Sequence, residues 1–154
     1  MWGLTGTYDK IPGSFNENQK VLVNFMIDYA ESNHVPLVIL KTAFGCSKCA
    51  KFKETTFVDP EFEAWVASSP YIFLYGYSGT GWFSSNPLKR LDSVHTDTPG
   101  TSYGIPSIGG EWVKEDGTVV HIPVFSVYSG APMKASEIAN RIDTAFAEYK
   151  DNLQ

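Results

Sequence analysis

The sequence predicts a single α/β domain. Its 154 residues fit one domain, which would bury about two-thirds of the surface of the unfolded chain. Short apolar runs that suit buried strands alternate with segments of helical period. Hydrophobic residues make up 43% and aromatic residues 14%, as expected for a packed core rather than a disordered chain.

The composition excludes several classes of protein. A net charge of −5 and an isoelectric point near 5.1 disfavour nucleic-acid binding, because phosphates require a basic stripe that the sequence lacks. No run reaches the about 18 apolar residues that span a membrane, and the first residues lack a signal-peptide pattern. The expected location is therefore the cytoplasm. Two cysteines three positions apart exclude a disulfide-braced secreted mini-protein.

The first part of the chain predicts an arm followed by a helix. Residues 1–13 are expected to form the arm, and residues 14–150 the domain. Ser14 and Glu17 have the spacing of a capping box. An apolar stripe of helical period follows, formed by Val21, Leu22, Phe25, Met26, Ile27 and Tyr29. This helix should end before Pro36, because proline disfavours helix in the residue that precedes it.

The next segments predict two strands with helices between them. Residues 37–40 form an unalternating apolar run, as in a strand buried on both faces. Residues 50–55 are compatible with a helix, and Asp59-Pro60-Glu61 has the pattern of a second helix start. The buried side of that second helix is expected to hold Phe62, Trp65 and Val66. Residues 71–77 form the second strand.

The last part predicts a loop, a hairpin and a helix. Residues 78–104 are rich in Gly, Ser, Thr and Pro, and such a long connection is either functional or mobile. Residues 107–113 and 118–127 predict a hairpin with an Asp-Gly turn. Its charged surface is expected to include Glu111, Lys114, Glu115 and Asp116. Ser136 is expected to cap the final helix, whose apolar side holds Ile138, Ile142, Ala145, Phe146 and Tyr149.

Cys46 and Cys49 carry the chemistry that the sequence predicts. The Cys-x-x-Cys spacing allows a disulfide when a helical turn follows the first cysteine. At a helix N-terminus, backbone N–H groups and the helix dipole favour the thiolate of Cys46, and Lys48 adds positive charge. Cys46 is then the attacking thiolate, and Cys49, one turn deeper, resolves the mixed disulfide.

Two simpler interpretations of the cysteine pair stay open. Half of a zinc site is disfavoured because the sequence has no second cysteine pair, and its three histidines are scattered. Two inert buried thiols are disfavoured because the pair lies directly between a predicted buried strand and a helix. We therefore expect no metal and no cofactor.

These motifs together resemble the thioredoxin-like family. The resemblance covers roughly residues 17–150 and rests on the cysteine pair, on Gly104-Ile105-Pro106-Ser107 before the hairpin, and on residues 56–62 after the dithiol helix. It implies a thioredoxin-like single domain, with a central mixed sheet of about four strands flanked by helices. That domain would include the N-terminal helix, and residues 78–104 would be a long loop insertion before the family's cis-proline position at Pro106.

The resemblance also implies a function and its site. The chain is expected to be a thiol–disulfide oxidoreductase acting on a protein disulfide or dithiol partner. Phe44, Ile105 and Pro106 would bind substrate, with a cis bond before Pro106 turning the Ile105 backbone toward an extended peptide. An ordinary strand-start proline and a core phenylalanine are the alternatives for Pro106 and Phe44.

Departures from the family pattern support a second hypothesis. The family's tryptophan before the first cysteine is replaced by Gly45, and its buried acid by Leu40. That acid helps to move protons during exchange. The alternative is therefore a non-catalytic thioredoxin-like binding or structural module, such as part of a larger protein assembly.

Overall fold

The computed structural model of the chain describes residues 4–5, 17–43, 47–56, 58–78, 107–125 and 134–152. Its strands are β1 (Leu4–Thr5), β2 (Leu37–Ala43), β3 (Ile72–Ser78), β4 (Ser107–Val113) and β5 (Val119–Phe125). Its helices are α1 (Glu17–Ser32), α2 (Ser47–Lys51), α3 (Pro60–Ser68), α4 (Ala135–Ala145) and α5 (Ala147–Asp151), and a π-helical turn, Phe52–Thr56, directly follows α2.

The strands form one mixed sheet in the order β1-β3-β2-β4-β5. The central strand β2 is parallel to β3 and antiparallel to β4, and β4 pairs with β5 as the predicted hairpin. At one edge β1 is parallel to β3, with Leu4 opposite Phe73. The prediction of an α/β domain with a mixed sheet of about four strands is confirmed, and two residues of the expected arm add a short fifth strand.

One face of the sheet packs against the C-terminal helices. Side chains alternate along a strand, so Val38 and Leu40 of β2 share a face with Gly110 of β4, which pairs with Val38. A Cβ atom on Gly110 would lie 2.4 Å from Cζ of Phe146 and 2.5 Å from the Leu37 carbonyl oxygen. Only glycine lets Phe146, itself fully buried, lie this close to the strand.

The helices α3 and α4 begin in different ways. Asp59 caps α3 as predicted, since its Oδ1 accepts a 2.8 Å hydrogen bond from the Glu61 backbone N–H. The prediction for α4 was wrong. Lys134 occupies the cap position without a side-chain hydrogen bond, and Ser136 lies inside the helix. The helix starts two residues earlier than predicted, and its first residue, Ala135, is buried.

Only part of the predicted α1 stripe is buried. Met26, Ile27 and Ala30 are at most 1% exposed, but Val21 is 69% and Phe25 54% exposed. Val21 and Phe25 belong to an i, i+4 row that continues to Tyr29, whose ring lies 6.3 Å from that of Phe25. This row lies beside the row of Met26 and Ala30, so the apolar stripe is wider than the part of it that the core buries.

The hairpin has the predicted turn but not the predicted surface. Gly117 has φ +89°, as the Asp-Gly turn requires, and Asp116 Oδ1 accepts a hydrogen bond from the Thr118 backbone N–H. Hydrogen bonding with the side chain and the backbone of Thr118 lowers the pKa of Asp116. Glu111, however, is 3% exposed, because β4 lies between β2 and β5 and all its residues up to Trp112 are buried. The expectation of a surface position for Glu111 was wrong.

Candidate dithiol site

Cys49 is the cysteine that the structure describes. It is the third residue of α2, is fully buried and is disulfide-bonded. Cys46, the only other cysteine of the sequence, lies outside the described residues. The helix α2 begins at Ser47, so Cys46 immediately precedes it in the chain.

The helix that carries Cys49 changes geometry after one turn. Phe52–Thr56 is π-helical, and the Thr55 hydroxyl donates a 2.5 Å hydrogen bond to the Lys51 carbonyl. The prediction of an ordinary helix over residues 50–55 missed this. Single π turns occur often at functional sites. Thr56, the last residue of the turn, is buried, and α3 starts four residues later.

Basic side chains surround the exposed side of α2. Lys48 and Lys51 are both exposed, and the first turn holds no acidic residue. Lys48 directly precedes the buried Cys49 in the sequence. The local charge is positive although the chain as a whole carries −5. Positive charge beside a cysteine stabilises its thiolate.

The sheet beneath the site is apolar where the resembled family has an acid. Leu40 is 2% exposed and pairs with Tyr75 and Ile108. The buried acid of β4, Glu111, pairs instead with Leu37. Leu37 is three residues before Leu40, about 10 Å along the strand and on the opposite face, so Glu111 does not replace the missing acid.

The remaining predicted site residues lie outside the described part of the chain: Phe44, Ile105 and Pro106. The strands next to them in sequence are neighbours. β2 ends at Ala43 and β4 begins at Ser107, and Lys41 pairs with Ser107. The carboxyl end of β2, which leads to Phe44, and the amino end of β4, which follows Pro106, therefore lie at the same end of the sheet.

Metal-binding clusters and membrane-spanning helices are both absent from the described residues. No group of three or more His, Cys, Asp or Glu side chains in this part of the chain has a geometry that would hold a metal ion. None of its helices is both long and apolar enough to cross a membrane.

A second polar cluster joins α3, β3 and α4, and the sequence did not predict it. Asp143 accepts hydrogen bonds from the Tyr71 hydroxyl at 2.6 Å and from Trp65 Nε1 at 3.3 Å. Its Oδ1 also lies 2.8 Å from the ammonium of Lys150. Burial, followed by the bond to Asp143, raises the pKa of Tyr71. The one feature of the sequence that could have indicated this cluster is Asp143 itself, an acidic residue on the helix with the apolar stripe.

Comparison with solved structures identifies the architecture. The chain is similar to a thioredoxin from Thermus thermophilus, with a TM-score of 0.50 and 12% identity over 79% of this chain and 82% of the other. The fold is that of thioredoxin. The oxidised C-terminal domain of DsbD from Neisseria meningitidis gives a TM-score of 0.49 and 16% identity over 86% of this chain and 98% of that domain. No family model and no curated protein matches the chain.

Proposed function

We propose that the chain is a thiol–disulfide oxidoreductase that reduces disulfides in protein partners. The observation that carries the proposal is a buried, disulfide-bonded Cys49 in the helix that follows the central strand of a thioredoxin fold. A disulfide within one chain requires Cys46, since the sequence has no third cysteine. The Cys-x-x-Cys spacing in the sequence suits such a bond.

Burial supports the two proposed roles. Cys49 is 0% exposed, which disfavours direct attack on the sulfur of a large protein substrate. In the proposal Cys46 makes the first attack on a partner, and Cys49 acts only after Cys46 has become attached to the partner. The exposed Lys48 and Lys51 favour the thiolate that makes this first attack.

The reaction has two exchange steps. The Cys46 thiolate attacks one sulfur of the partner disulfide, forms a mixed disulfide and releases the other partner sulfur, which takes up a proton. Cys49 then loses its proton, attacks the Cys46 sulfur and releases the second partner thiol. The partner gains two electrons and two protons, and a dithiol protein from the reducing cytoplasm would restore the Cys46–Cys49 pair.

The proposed partner contact lies at the end of the sheet where β2 leads to the cysteines. Ile105 would offer its backbone to an extended peptide beside Pro106, and Phe44 would provide an apolar contact next to the attacking sulfur. The antiparallel neighbours β2 and β4 support this arrangement, because their described ends lead to both segments.

Leu40 favours the alternative, a non-catalytic binding module. A buried thiol must lose its proton before it can resolve the mixed disulfide, and a leucine cannot accept that proton. In the proposed enzyme this step is slow and depends on water or on the leaving thiolate. In the alternative, partners bind without sulfur exchange.

Trapping experiments test the proposal. Cys49→Ser should accumulate mixed disulfides with partner proteins, whereas Cys46→Ser, the matched control, should form none. In thiol/disulfide buffers followed by alkylation, the wild-type Cys46–Cys49 pair should show one reversible transition. Its reduction potential should lie between about −270 and −120 mV. A pair that stays oxidised below about −300 mV would contradict the proposal. Partner binding that survives in the double serine variant would support the binding module.

A further inference from the structure

A groove lies between α3 and α4, on residues that the dithiol chemistry does not use. Its volume is about 280 Å³. This is close to the lower end of small-ligand sites, about 300 Å³. Among the described residues, one wall is formed by Glu61 and Trp65, one turn apart on α3, and the facing wall by α4.

The α4 wall leaves space and offers polar groups. Ala135 and Ala139, one turn apart, carry only methyl groups, which keeps the groove open. Ser136 and Asn140 are exposed beside them, and Asp143 lies one turn further along the helix. The α4 wall of the groove therefore combines small apolar groups with polar side chains.

Asp143 is held in a fixed orientation. Its Oδ1 is engaged by the Tyr71 hydroxyl and by the Lys150 ammonium, whereas its Oδ2 receives the long 3.3 Å bond from Trp65 Nε1. A carboxylate oxygen has two lone pairs, so Oδ2 keeps the capacity to accept a further hydrogen bond. Lys150 offsets part of the charge but does not line the groove.

The described lining groups select a cation. They include two carboxylates, Glu61 and Asp143, the indole of Trp65 and no Lys, Arg or His. Aromatic faces attract cations, and carboxylates bind planar guanidinium groups through several hydrogen bonds. We propose that this groove binds an alkylguanidinium group, with Glu61, Asp143 and Trp65 as its contacts. The amide oxygen of Asn140 and the hydroxyl of Ser136 accept its remaining N–H groups.

A titration followed by nuclear magnetic resonance tests the site. Butylguanidinium should give a saturable shift of the Trp65 indole N–H resonance, assigned with Trp65→Phe. Butylurea, a neutral molecule of nearly the same shape, should give none. Glu61→Gln and Asp143→Asn should each weaken binding about fivefold or more. Glu137→Gln, an exposed acid on the same helix outside the groove, is the matched control and should bind as wild type.

A steric variant separates the groove from general surface attraction. Ala139→Leu retains every charge but fills the space, and it should abolish the Trp65 shift. Thermal melting of each variant confirms folding, and Glu61→Gln alone suffices if Asp143→Asn is unstable, because Glu61 is exposed. Equal shifts with butylurea, or unchanged binding in Glu61→Gln and Ala139→Leu, would overturn the proposal.

Two sources of the guanidinium group are distinguished by the same assay. Free arginine and a capped Gly-Gly-Arg-Gly-Gly peptide are titrated in parallel. Tighter binding of the peptide assigns the groove to an arginine on a protein surface, and tighter binding of free arginine assigns it to a small molecule. Failure of both, with butylguanidinium also silent, would overturn the proposal without affecting the dithiol chemistry.

Discussion

The two ends of β2 differ in the polar side chains that lie near them. At its amino end, Trp112 Nε1 donates to the His34 carbonyl at 3.1 Å, and His34 Nδ1 lies 2.9 Å from the Val113 carbonyl. Glu111, buried at the same end, has His121 Nε2 at 3.9 Å. Toward the carboxyl end, which leads to the cysteines, Leu40 of β2 and Cys49 of α2 are both buried.

This difference places stabilising hydrogen bonds at one end of β2 and the cysteines beyond the other end. The hydrogen bonds at the amino end join β4 to His34, in the turn that follows α1. In the proposed reaction, the burial of Cys49 disfavours the thiolate that it would carry during resolution. Glu111, the buried acid of β4, pairs with Leu37 and lies on the opposite face of the sheet from Leu40.

The largest effect is expected from moving an acid to the dithiol end. Leu40→Asp buries a carboxylate at a position that is 2% exposed, which should cost about 4 kcal/mol of unfolding free energy, measured by urea denaturation. If the proposed function holds, resolution of the mixed disulfide should also become faster. Leu40→Asn is the matched control: it should destabilise similarly but leave the exchange rate unchanged. Equal exchange rates in both variants would show that a base is not what limits resolution.

A smaller effect is expected at the amino end from Gly110→Ala. The new methyl group would meet Phe146 and the Leu37 carbonyl at 2.4 and 2.5 Å, and a backbone atom in the sheet has little freedom to move. We expect a loss of about 3 kcal/mol in urea denaturation. Gly117→Ala, which has open space but φ +89°, should lose only about 1 kcal/mol. A Gly110→Ala protein as stable as wild type would mean that Phe146 packs differently.

The smallest effect is expected from Tyr71→Phe, near the amino end. Removing the 2.6 Å bond to Asp143 should cost about 1.5 kcal/mol at neutral pH. Because the pKa of Tyr71 is raised in the folded state, folding favours the protonated phenol. Its contribution is full below about pH 10 and is lost as the pH rises through the folded-state pKa.

Alkaline denaturation measures this contribution. The wild-type unfolding free energy should fall above about pH 10 more steeply than that of Tyr71→Phe. Burial also raises the pKa of Tyr149, so Tyr149→Phe is the control that removes the second tyrosine contribution. Parallel pH profiles for wild type and Tyr71→Phe would contradict a shift at Tyr71.

The sequence predicted the elements whose local signals agree with their tertiary surroundings. The apolar run of β2, the Asp59 cap and the Asp-Gly turn are local signals, and each appears in the structure. Glu111 was assigned to the surface because charged side chains usually lie there, but its burial follows from strand order. Strand order is a property of the whole sheet and is not contained in any short segment.

The site was predicted to a smaller extent. The helical placement of Cys49 follows from the spacing of the motif, and the structure has Cys49 in α2. The π turn after α2 has no sequence signal that we can name. Asp143 was missed because its partners, Tyr71 and Trp65, are more than 70 residues away, and such contacts exist only in the folded chain.

The sheet edges have a consequence for self-association. An outer strand exposes unpaired backbone groups that can recruit another chain, and proteins limit this with short edge strands or with proline. Among the described strands, β1 at one edge has two residues, and β5 at the other contains Pro123. Neither of these two described strands offers a long, uninterrupted template, and we expect this to disfavour the edge-to-edge stacking that leads to fibrous aggregates.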